Sequence, residues 1–153
     1  MHAHPSSPRR RWLAMACAVF GLASPTAWSS AASAADLKVQ LTGVRNASGD
    51  LRAALFDRAD AFRKEDKALA LVKLPAAPGV ATVVFPSLAP GRYAVMAYHD
   101  ENADGAMDRM FGMIPTEGYG LSNNPEVFGP PAFEQSAFDL PAAGAEIVVN
   151  LRY

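Results

Sequence analysis

The chain reads first as a series of short segments in which apolar and polar residues alternate. In residues 37–45 (LKVQLTGVR), Leu37, Val39 and Leu41 alternate with polar neighbours, the two-residue period of a strand with one buried face. Turn residues follow (NASGD, 46–50), and the pattern resumes in 51–57 (LRAALFD), so the two segments read as a hairpin. Residues 58–70 (RADAFRKEDKALA) favour a short helix or a structured loop, because Ala, Lys and Glu suit helix and nothing alternates. Leu71, Val72 and Leu74 mark a further short strand, and the β-branched run 80–85 (VATVVF) another.

After the Pro90-Gly91 turn, Tyr93, Val95 and Ala97 interleave with Ala94, Met96 and Tyr98, which predicts a strand buried on both faces and ending at His99 and Asp100. Residues 146–153 (EIVVNLRY) predict the last strand, with 136–140 (SAFDL) as its partner across the PAAGA turn. These segments make about seven strands separated by turns, the pattern of an all-β antiparallel sandwich. The exception is the connection between Asp100 and Gln135. It carries Phe111, Met113, Ile114, Tyr119, Leu121, Phe128 and Phe133, too many large apolar groups for a solvated linker, and is expected to fold back as one long packed loop with Phe128 and Phe133 in the core. Function, where it is localised, is expected there.

The segments HDENADGAMD, GMIPTEGYGLSNN and FGPPAFEQSAF, preceded by LAPGRYAVMAYHD, resemble the bacterial domain-of-unknown-function family 2141. The resemblance runs from the first strand to the last. It implies an exported domain with a transthyretin-like or immunoglobulin-like β-sandwich, and no activity.

The first 34 residues carry the marks of a signal peptide: a basic start at Arg9, Arg10 and Arg11, an apolar run from Trp12 to Leu22, and an Ala-Ser-Ala site at 32–34. That run falls short of the ~20 residues a membrane span needs, and Ser24 and Pro25 end it. Residues 35–153 are thus expected to form one periplasmic or secreted domain, delivered by a Sec or twin-arginine route, with no integral membrane segment after cleavage. Cleavage removes Cys17, the sole cysteine, together with His2 and His4. Disulfides, a Cys nucleophile and a His/Cys zinc site are thereby excluded. Losing three of the 14 Lys and Arg leaves 11 against 15 Asp and Glu, a net charge near −4 that argues against nucleic acid as a partner. No partner protein can be named from these residues.

The chemistry concentrates in residues 98–108 (YHDENADGAMD). A twelve-residue calcium loop takes oxygens from positions 1, 3, 5, 7 (backbone), 9 and 12, with Gly at 6. Counting from Asp100 places Asn102 at 3, Asp104 at 5, Gly105 at 6 and Asp108 at 9, but Phe111 stands at 12 and a strand precedes instead of a helix. Glu117 or water would have to complete the shell. Calcium is the only cofactor the residues suggest, and the same residues suit Asx-turns at a soluble loop tip better still. Two other readings stand beside it. In residues 115–125, Tyr119, Asn123 and Asn124 suit a small-ligand or carbohydrate pocket, or else plug and cap the sandwich end. His99 with Asp100 and Ser122 suggests a weak hydrolase, although neighbours on a strand point to opposite faces and no GxSxG elbow is present. A non-enzymatic role is favoured.

Overall fold

In the computed structural model, residues 34–111 and 114–153 are described; the expected signal peptide lies outside them save for its last residue. Two sheets stack face to face. The first runs β10-β1-β4, built from Ala35–Val44 (β1), Gly79–Leu88 (β4) and Ala145–Asn150 (β10). The second runs β3-β2-β5-β8, from Asp50–Phe56 (β2), Ala70–Pro75 (β3), Gly91–Asp100 (β5) and Tyr119–Leu121 (β8), with Phe138–Leu140 (β9) also paired to β5. Arg109–Met110 (β6) and Ile114–Pro115 (β7) form a small separate ribbon. The fold is all-β and sandwich-like, and among the described residues no sheet closes into a barrel. No helix among the described residues is long and apolar enough to cross a membrane.

Alternation explains the layering. Leu37, Val39 and Leu41 of β1 and Val83 and Phe85 of β4 meet Leu51, Ala53 and Leu55 of β2 and Val95 and Ala97 of β5, forming the main core. Each such large side chain contributes about 1.5–3 kcal/mol on burial. The other face of the second sheet is covered as well. There Ala54, Phe56, Ala94 and Met96 pack with Ala61, Phe62, Leu121 and Phe133, the rings of Phe62 and Phe133 meeting edge-on at 5.8 Å. Hence β5 is buried from Tyr93 to Asp100 on both sides, as its double apolar pattern requires.

Three expectations are corrected. β1 and β2 are not a hairpin but lie in different sheets. Alternation specifies a buried face and not a partner, and the polar groups of the 45–49 connection bond to the end of β5: Ser48 O to His99, and Asn46 Nδ2 to Glu101. Likewise β9 pairs with Gly91–Tyr93 of β5, while β10 runs parallel to β1 with Leu37 opposite Ala145. The intervening turn presses on the start of β1, since a Cβ on Gly144 would stand 2.6 Å from Asp36 O, and so carries the chain across to the first sheet. Finally, Phe128 is wholly exposed; Gly129, at φ 93, and the following prolines hold it at the rim, and Phe133 alone enters the core. The stretch at 58–70 contains one short 3-10 turn, Glu65–Lys67, with Ala61 and Phe62 buried before it. The long connection is packed, through β8, Leu121 and a four-residue helix at Phe133–Ser136.

Candidate functional site

β5 delivers His99 and Asp100 to one end of the sandwich, where Asp50 and Leu51 of β2 pair with them in register. Both side chains are fully buried, and they part company there. His99 Nε2 lies 2.7 Å from Ser48 O, which can only accept, so Nε2 carries the proton and Nδ1 accepts from the Tyr153 hydroxyl at 2.7 Å. The Tyr153 hydroxyl in turn accepts from the Arg45 backbone N–H, and the Arg45 guanidinium stacks 4.2 Å above the Tyr153 ring. That guanidinium also grips both carboxylate oxygens of Glu101, at 2.6 and 2.7 Å, which holds the Glu101 carboxyl below the usual carboxylate range.

Asp100 faces the loop that follows. Its Oδ1 accepts the N–H of Asp104 at 3.1 Å and its Oδ2 that of Gly105 at 3.0 Å. Asn102 Oδ1 accepts the Asp104 N–H and Asp104 Oδ1 the Ala106 N–H, the Asx-turns that the sequence suggests. Gly105, at φ 84, and Ala103, at φ 58, wind the backbone tightly enough for these bonds to close. From the opposite side comes Glu117, only 5% exposed, whose two oxygens accept the N–H groups of Glu101 (2.9 Å) and Asp108 (3.0 Å). Beneath the loop, the Tyr98 hydroxyl reaches Glu65 at 3.0 Å and the Gly105 carbonyl at 3.3 Å. Burial first, and then the Glu65 carboxylate, push the Tyr98 hydroxyl pKa well above its ordinary value.

At the loop tip three of the four expected ligands meet. The Asn102 amide nitrogen donates to Asp104 Oδ2 and to Asp108 Oδ2, each 3.1 Å away. Two carboxylate oxygens therefore converge on one positively polarised group. Asp100, the fourth, joins them through the Asp104 backbone. Among the described residues no three His, Cys, Asp or Glu side chains stand close enough to hold a metal by themselves. Nor do Asp100, Asp104, Asp108 or Glu117 make an ion pair there; the Arg52 guanidinium feels the Asp100 charge but spends its hydrogen bonds on Glu65.

The remaining expected residues are dispersed. Asn123 and Asn124 both lie at positive φ, a conformation Asn tolerates, and their amides bind backbone: Asn123 Nδ2 to Ala137 O, and Asn124 to Val148 O and Asn150 N. Tyr119 lines a larger cavity beside β5. Ser122, fully buried, accepts the Val95 N–H and donates to Ser136 O, and no hydrogen bond joins it to His99. The cavity wall beside Tyr119 includes Phe62, Met96, Met107 and Val127; of these the sequence pattern marked only Met96, and as a strand residue. They come from four separate segments, and only folding brings them together.

A two-sheet β-sandwich whose longest connection begins in a self-bonded acidic loop is the class these features define. The chain belongs to the family of uncharacterised proteins conserved in bacteria, DUF2141, whose family model matches residues 39–148. No curated protein and no solved structure matches it.

Proposed function

We propose that this is an exported, non-enzymatic β-sandwich domain that binds one calcium ion in the loop from Asp100 to Asp108. The observation that carries the reading is the convergence of Asp104 Oδ2 and Asp108 Oδ2 on the Asn102 amide nitrogen. Four carboxylates gather around this loop without an ion-pair partner among the described residues: the buried Asp100 and Glu117 are met by backbone N–H groups, while the exposed Asp104 and Asp108 face no cation. A hard divalent cation bound by oxygen is the counter-charge such a set suits. Asn102, Asp104 and Asp108 would hold it, with water completing the shell, while Asp100 and Glu117 fix the backbone that presents them. Phe111, where a bidentate acid would stand, argues for the weak affinity of extracellular modules, on the order of 10⁻⁴ to 10⁻³ M. Export rests on the features of residues 1–34.

Thermal unfolding tests this directly. Addition of millimolar calcium to chelator-treated protein should raise the midpoint, magnesium should raise it less, and Asp104→Ala should abolish the shift while leaving a folded protein. An unchanged midpoint at millimolar calcium would refute the reading.

A further inference from the structure

Between the outer face of the second sheet and the long connection lies a cavity of about 680 Å³, within the ~300–1,000 Å³ of small-molecule sites. Phe62, Met96, Met107 and Val127 supply much of an apolar wall. At its rim stand Arg63, Lys64 and Arg109, all exposed, and among the described residues no acidic side chain lines it. Three cations together are unexpected in a domain that carries an excess of acid.

None of the three makes an ion pair among the described residues. Lys64 Nζ donates to its neighbour Asp60 O, and Arg109 leans on the Met107 sulfur at 3.5 Å. Arg63 sits at φ 67, a backbone conformation that a long side chain adopts only at a cost. Apolar walls with two adaptable methionines and a rim of uncompensated positive charge select for one chemistry. We propose that this cavity binds a single-chain amphipathic anion, its hydrocarbon body against Phe62, Met96, Met107 and Val127 and its anionic head at Arg63, Lys64 and Arg109. The site uses none of the proposed calcium ligands, although Met107 and Arg109 flank Asp108, and the proposal does not rest on the calcium reading.

The test is calorimetric titration of the purified protein with decanoate, alongside 1-decanol, decyltrimethylammonium and acetate as matched probes. Decanoate should bind saturably, and at least about tenfold more tightly than the alcohol or the ammonium, while acetate, a head without a body, should not bind. Raising the salt concentration should weaken binding. The exposed pair R63E/R109E should lower decanoate affinity at least about tenfold, and V127W, which fills the cavity from its edge, should abolish binding with circular dichroism unchanged. If the double variant does not fold, K64E carries the charge test. Absence of saturable binding, equal binding of all three decyl compounds, or full affinity in the folded variants would each overturn the proposal.

Discussion

The hydroxyl of Tyr153 lies 2.7 Å from Nδ1 of His99, so a residue three positions beyond β10 satisfies a fully buried imidazole at the end of β5. The other ring nitrogen is taken by Ser48 O. His99 is thereby a junction of three segments, and its two hydrogen bonds account for its burial.

Tyr153→Phe removes that hydroxyl and leaves both Nδ1 of His99 and the N–H of Arg45 without their partner. An unsatisfied buried group costs about 1–3 kcal/mol, and urea unfolding of the variant should show a loss of that size with the slope unchanged. A midpoint equal to that of the parent would show that water replaces the hydroxyl at no cost.

Glu117 and Asp108 should behave oppositely. Glu117→Gln leaves one of the N–H groups of Glu101 and Asp108 facing an amide NH₂, so stability without calcium should fall by about 1–3 kcal/mol. Asp108→Asn touches only an exposed side chain, and should leave stability in chelator within about 0.5 kcal/mol of the parent while losing the calcium response. Chemical denaturation in calcium and in chelator separates the two roles.

The Arg45–Glu101 pair sets an acid limb. Because Arg45 holds the folded Glu101 carboxyl below its ordinary value of 4.5, the unfolded chain takes the proton first. The contribution is complete above that value and is lost as pH falls through the lower, folded value. Stability measured from pH 6 downward should therefore decline more steeply in the parent than in Glu101→Gln, and added salt should shrink the difference.

Gly49 is a steric requirement. At φ 64 its missing Cβ would stand 1.9 Å from the carbonyl oxygen of Asp100, a backbone atom that cannot swing aside. Gly49→Ala should cost about 1–3 kcal/mol or more and should disturb the amide signals of Asp104 and Gly105, which depend on where Asp100 lies. Unshifted signals would uncouple the 45–49 turn from the acidic loop.

The burial of β5 was readable from sequence because two interleaved apolar sets, Tyr93-Val95-Ala97 and Ala94-Met96-Tyr98, leave neither face for water. The partners of β1 and β9 were not. Alternation in Leu37–Leu41 states which side chains turn inward but is silent on which strand lies alongside. The acidic loop was readable in composition and spacing, and its Asx-turns follow from Asn102 and Asp104. That Glu117 closes the loop from sixteen residues away, onto the N–H of Glu101, depends on where β8 returns the chain. The amides of Asn123 and Asn124 show the converse difficulty: their chemistry suits a ligand, and they meet their own backbone.

The parallel pairing of β1 with β10 joins Leu37 to Ala145 across 108 residues. β1 is made long before its parallel neighbour, so until residues 145–150 have been added it can pair only with β4. Contacts of such separation slow folding. The first sheet therefore stays two-stranded until residues 145–150 arrive, with one edge of β1 unpaired.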